Sequence, residues 1–90
     1  MESLDKKSEE TISKEVIGIL RSMRPDFSKE ITEKSDFISD LGMGPFDLTE
    51  LSCYVEEEYH LPIPEKEVWR LNSVSDYVNF IKKQKDYLKQ

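Results

Sequence analysis

The scarcity and placement of helix breakers constrain this chain most. Three glycines and four prolines in 90 residues leave long stretches that nothing interrupts. Pro25 closes the first stretch, and Pro62 and Pro64 bracket Ile63 in a second break. The fourth proline, Pro45, falls at the first turn of a candidate helix, where its missing N–H would be unpaired in any case. Between the breaks, apolar residues recur at three- and four-residue spacing, the mark of amphipathic helices. Ile12, Val16, Ile19, Leu20 and Met23 form one such stripe. Phe46, Leu48, Leu51, Val55 and Tyr59 form a second, and Val74, Tyr77, Val78, Ile81 and Leu88 a third. The pattern predicts an all-α fold.

Local signals set the boundaries. Ser8 followed by Glu9 and Glu10 predicts an N-cap with acids in the first turn, where they favour the helix dipole. The second helix is expected over 45–59, and Pro64 is expected to open a short helix over 65–70. Ser73-Val74-Ser75-Asp76 resembles a capping box at the start of the last helix. Residues 25–44 then form a long connection with Phe27, Ile31, Phe37, Ile38 and Leu41 as apolar pegs. A connection of that length points to a packed or functional segment. The expected organisation is a flexible N-terminal tail over 1–7 and one helical domain over 8–90. The lysine-rich end of the last helix (Lys82, Lys83, Lys85, Lys89) complements its C-terminal dipole.

Composition excludes several function classes. A chain of this size buries roughly 60–65% of its unfolded surface, so the core is modest. No apolar run approaches the ~20 residues of a membrane span. The N-terminal Met1-Glu2-Ser3-Leu4-Asp5-Lys6-Lys7 has no apolar core of a secretory signal, so a cytoplasmic location is expected. One cysteine, Cys53, allows no internal disulfide. The net charge is −6, and Ser35 to Glu65 holds eight acids with no Lys or Arg. Nucleic-acid binding needs clustered cations, so it is excluded. An acidic middle instead steers encounters with basic partners.

Chemistry-bearing residues are few. Cys53 lies mid-helix, where cysteine usually behaves as a small buried hydrophobe, and no nearby Lys or Arg favours its thiolate. One His, His60, and one Cys make no zinc set. Glu56, Glu57 and Glu58 are consecutive on a helix and diverge, so they hold a cation at most loosely. With no glycine-rich phosphate loop and no Ser/His/Asp arrangement, the chain is not expected to be an enzyme.

Asp40-Leu41-Gly42, Asp47, Glu50-Leu51, Glu56-Glu57-Glu58-Tyr59 and Ile63-Pro64, in that order, resemble the acyl carrier protein family. That family reads D-L-G-x-D-S-L-D-x-x-E-L, then an acidic helix end, then I-P. Phe37 and Ile38 match the pair before the motif, and Leu71, Val74, Val78 and Ile81 continue the match. It covers roughly residues 9–83. The resemblance implies an acyl-carrier-protein-like four-helix bundle, with three long helices, one short one and a long first loop.

The departures fall at the chemistry. The family's serine, whose hydroxyl receives the phosphopantetheine arm, corresponds to Pro45. The preceding aspartate corresponds to Gly44 and the following leucine to Phe46. Pro45 has no nucleophilic oxygen, so phosphopantetheine is expected to be absent. Thr49 and Ser52 share its helical face but lie roughly 6 and 10 Å further along the axis, at ~1.5 Å per residue. Ser39 precedes the motif. The position one turn after Val74, often small in the family, is Tyr77 or a neighbour. With Trp69 and Tyr54 it is expected to close the interior to an acyl chain.

The resemblance also implies that helix 2 docks onto basic enzyme patches. The matching partner-binding positions are Met43, Phe46, Asp47, Glu50, Glu56 and Glu57. No metal site is expected. The expectation is a monomeric, non-pantetheinylated binding or regulatory module that docks through acidic helix 2 onto a basic enzyme surface. The alternative is a working carrier in fatty-acid, lipid or polyketide biosynthesis, modified at an unexpected residue.

Overall fold

The computed structural model describes residues 8–25 and 31–89, with side chains of the last helix described through residue 84. Four helices follow in order: α1 (Glu9–Met23), α2 (Pro45–Tyr59), α3 (Glu65–Val68) and α4 (Val74–Lys89). No strand occurs among the described residues. The expected tail over 1–7, Phe27 and the Leu88 side chain lie outside them.

The helix starts follow their capping chemistry. Ser8 is extended at φ −73° and ψ 161°, and its Oγ accepts the Thr11 N–H at 3.2 Å. α1 ends as the Arg24 N–H donates to the Leu20 carbonyl at 3.0 Å, one residue before Pro25. At α4, the Ser73 Oγ accepts the Asp76 N–H at 3.2 Å. The reciprocal carboxylate bond goes one residue further out than a capping box requires: Asp76 accepts the Asn72 N–H at 2.9 Å. α3 stops at Val68, two residues short of the expected end. Beyond it the bonds tighten to three-residue spacing, with the Leu71 N–H donating to the Val68 carbonyl at 3.3 Å.

Three stripes meet in one core. Ile12, Val16 and Leu20 of α1 pack with Leu48, Leu51, Val55 and Tyr59 of α2 and with Val74, Tyr77, Val78 and Ile81 of α4. Burying each large aliphatic or aromatic side chain contributes about 1.5–3 kcal/mol. α1 contacts both α2 and α4, and α3 rests on α2. Tyr77 and Phe37 lie at the centre with ring centroids 6.1 Å apart and planes tilted by 44°. Trp69 and Tyr54 do not fill the interior as expected: they are 44% and 43% exposed. Tyr59 takes the inward position on α2 instead, because it continues the stripe of Leu48, Leu51 and Val55. Burial pushes the Tyr59 and Tyr77 phenols well above their ordinary range, so both stay neutral. The Tyr59 hydroxyl donates to the Glu15 carboxylate across the α1–α2 contact, which raises its pKa further.

The connection before α2 is packed rather than loose. Ile31, Phe37, Leu41 and Met43 are buried. The Phe37 N–H donates to the Asn72 carbonyl at 2.8 Å and the Met43 N–H to the Phe37 carbonyl at 2.9 Å. The Ser75 N–H reaches the Glu33 carbonyl at 2.9 Å, fixing this segment to the start of α4. Asp36 organises the turn between: its carboxylate accepts the Ser39 N–H at 2.8 Å and the Ile38 N–H at 2.9 Å. The Ser39 backbone bond is the main reason the Asp36 carboxyl sits below its usual range. Gly42 adopts φ 69°, the left-handed geometry that closes the turn without a Cβ penalty. Ile38 points outward, contrary to expectation, because its neighbour Phe37 holds the inward position.

Candidate functional site

The start of α2 is built from Gly44, Pro45 and Asp47. Gly44 caps the helix in an extended conformation at φ −103° and ψ −179°, and Pro45 takes the first helical position. Asp47 reaches back to accept the Gly44 N–H at 3.2 Å and pairs with Arg24 at 3.4 Å. The same carboxylate oxygen thus joins the end of α1 to the beginning of α2. The Leu48 N–H donates to the Gly44 carbonyl at 3.0 Å. Proline at this position removes no hydrogen bond from the helix.

The structure divides the six expected partner-binding residues. Met43 is 2% exposed and belongs to the core, drawn inward by its N–H bond to Phe37, so it is no surface contact. Asp47 is half-buried and holds the helix start. Glu56 is also half-buried, and its carboxylate accepts the Ile63 N–H at 2.6 Å, fixing the turn after α2. That turn bends sharply at His60, whose φ of 55° is left-handed. Phe46, Glu50 and Glu57 remain outward, with Phe46 85% exposed. Cys53 joins them: it is exposed, not buried as its residue type suggested. At 3.6 residues per turn these four side chains span a strip roughly 60° wide. The Tyr54 hydroxyl donates to Glu50 at 3.4 Å on its edge. Only Glu50 and Glu57 of the strip are legible in the sequence as outward, since Phe46 falls in the apolar stripe there and Cys53 reads as a buried hydrophobe.

Near residue 45 the hydroxyls differ in access. Thr49 is exposed and its Oγ donates to the Pro45 carbonyl at 3.1 Å. Ser52 is buried and donates to the Thr49 carbonyl at 2.7 Å. Ser39 is exposed in the connection. Among the described residues no cluster of His, Cys, Asp and Glu could hold a metal ion, and no helix is long and apolar enough to cross a membrane.

Residues 15–81 match the family model described as a phosphopantetheine attachment site. The chain belongs to the acyl carrier protein family. An acyl carrier protein of Wolinella succinogenes is 33% identical over 72 residues, covering 80% of this chain and 91% of its own. One from Clostridium acetobutylicum is 43% identical over 53 residues, covering 59% and 69%. A Schizosaccharomyces pombe relative, 36% identical over 55 residues and covering 61% and 49%, is named as a mitochondrial acyl carrier protein.

This membership corrects one expectation. A carrier-family protein that matches an attachment-site model points to phosphopantetheine as its prosthetic group, against the absence read from Pro45 alone. The residues at the start of α2 fit that group poorly. Residue 45 is exposed at the first turn, but its ring offers no oxygen to bond the arm's phosphate. In this carrier-family protein the nearest exposed hydroxyl on the same helix is that of Thr49.

Proposed function

We propose that this acyl carrier protein family member serves fatty-acid, lipid or polyketide biosynthesis as a carrier. It docks through the outward strip of α2 onto a basic surface of the enzymes that act on carriers. The observation that carries the docking reading is the strip itself: Phe46, Glu50 and Glu57 are exposed on one line of α2. The carrier reading is supported by the attachment-site match over residues 15–81. The arm implied by the family would be held on an oxygen other than one at residue 45, with Thr49 and Ser39 as the exposed hydroxyls flanking it. A monomer working in the cytoplasm completes the reading. The chain itself performs no catalysis in this scheme.

One experiment with two readouts tests it. The full chain is incubated with coenzyme A and a broad-specificity phosphopantetheinyl transferase, then weighed intact and mapped by peptide. Mass gain of one arm at Thr49 or Ser39 is expected, and no gain overturns the carrier part. Capture by an immobilised carrier-dependent synthase reads the docking part. Exposed ion pairs contribute about 0.2–1 kcal/mol each, and reversal replaces attraction with repulsion. Glu50→Lys with Glu57→Lys is therefore expected to weaken capture about tenfold, more so at low salt. Unchanged capture would falsify docking through this strip.

A further inference from the structure

A groove of about 710 Å³ runs along the α1–α2 contact, beside the outward strip. Its apolar part is formed by Gly18, Ile19, Met23 and Tyr54, and three carboxylates, from Glu15, Glu57 and Glu58, charge the rest. Among the described residues no Lys or Arg lines it. The two helices run antiparallel, as the Arg24–Asp47 and Tyr59–Glu15 pairs require. The apolar part therefore lies towards Met23 and the acidic part towards Glu15 and Glu58. From residue 15 to residue 23 the groove extends ~12 Å at 1.5 Å per residue, about two helical turns. Gly18 adds an independent observation. A mid-helix glycine weakens a helix relative to alanine, and a Cβ built there would meet nothing within 4 Å. Packing inside the chain does not require this glycine, yet it leaves the groove floor bare for close approach.

We propose that this groove receives one amphipathic basic helix of a partner protein. The helix lays two turns of apolar side chains on Ile19, Met23 and Tyr54 and directs Lys or Arg towards Glu15 and Glu58. Helix-in-groove recognition uses that pattern of spaced apolar anchors. The carboxylates supply the complementary charge and fix the helix direction, since reversal would place cations over the apolar part. They also disfavour a fatty-acid carboxylate in the same place. The inference rests on the docking reading for the basic character of the partner and shares Glu57 with the strip, but it uses α1 and the far end of α2 rather than Phe46 and Glu50.

The test titrates the full, isotope-labelled chain with a synthetic amphipathic leucine–lysine helix, followed by amide chemical shifts. Shifts should concentrate at Gly18, Ile19, Met23, Tyr54 and Glu58. Gly18→Leu fills the groove and Glu58→Lys reverses its charge. Both sites are exposed helix positions that tolerate the change, and each substitution should weaken binding about tenfold. Glu65→Lys, an exposed acid on α3 outside both surfaces, should leave binding to the groove unchanged. A leucine–glutamate helix of matched length should not bind. Shifts confined to Phe46 and Glu50 overturn the groove while leaving the docking strip standing. Equal binding of the glutamate helix, no binding at all, or indifference to Gly18→Leu also overturns it. Unchanged synthase capture by the Glu50→Lys and Glu57→Lys chain alongside groove binding in the parent chain would instead remove the proposed strip and keep the groove.

Discussion

Pro45→Ser is expected to convert residue 45 from an unmodifiable position into the acceptor of one phosphopantetheinyl group. With coenzyme A and a broad-specificity transferase, peptide mapping should place the added mass on residue 45 in most molecules. The backbone there is already prepared. Residue 45 is exposed, the helix begins at it, and the Gly44 N–H is held by Asp47 independently of the residue 45 side chain. Serine at the first helical position leaves the Leu48-to-Gly44 bond intact. The substitution restores unfolded-chain freedom that proline restricts, at a cost of about 0.4–1 kcal/mol, which a domain of this size tolerates. The outcome separates two causes. If residue 45 becomes modified, only the oxygen was missing. If it does not, Gly44 and Phe46 also exclude the transferase, and adding Gly44→Asp and Phe46→Leu should then restore acceptance. Mapping keeps either result distinct from modification of Thr49 or Ser39 in the parent chain.

Much of the fold was legible because each helix is framed by residues that act locally. Ser8 and Ser73 cap with their own hydroxyls, and Pro45 and Tyr59 bound α2 as the apolar stripe implied. Misplaced side chains were those whose direction depends on partners distant in sequence. Met43 turns inward because Phe37, already pinned to Asn72, accepts its N–H. Trp69 and Tyr54 turn outward because Tyr59, Tyr77 and Phe37 occupy the centre first. The acidic site was legible as a charge run but not as a surface. Asp47 and Glu56 are drawn into bonds with Gly44, Arg24 and Ile63, and composition cannot distinguish a carboxylate that fixes a turn from one that meets a partner. The α1–α2 groove left no pattern in the sequence, since its lining comes from two helices separated by the long connection.

Tyr77→Ala is expected to lower stability by about 3–5 kcal/mol, the range for removing a buried aromatic ring. Tyr77 is 1% exposed and packs against Phe37, so the loss combines lost burial, a lost tilted aromatic contact and a cavity that the bundle cannot fully close. Domains are stable by only about 5–15 kcal/mol in total. The melting temperature should therefore fall on the order of 15–30 °C. The size of the loss decides whether the ring is the plug of the bundle. With Tyr77 in place, fatty acids should give no saturable thermal stabilisation, because the centre between α1, α2 and α4 is occupied by Tyr77 and Phe37. In the variant the vacated space opens beside Phe37 within the apolar core cluster, and ligand binding there should recover part of the lost stability by mass action. Tyr77→Leu guards against a variant too unstable to read. It keeps most of the volume, so it should lose less stability and open a smaller, still apolar space. Saturable stabilisation of the parent chain by fatty acids would show the interior to be open already. A fall of under about 1 kcal/mol for Tyr77→Ala would show that the ring is not central to the core. Saturable stabilisation of the parent chain would put the acyl group of the proposed carrier inside this bundle, whereas the expected result keeps it outside, against the enzyme surface that α2 is proposed to meet.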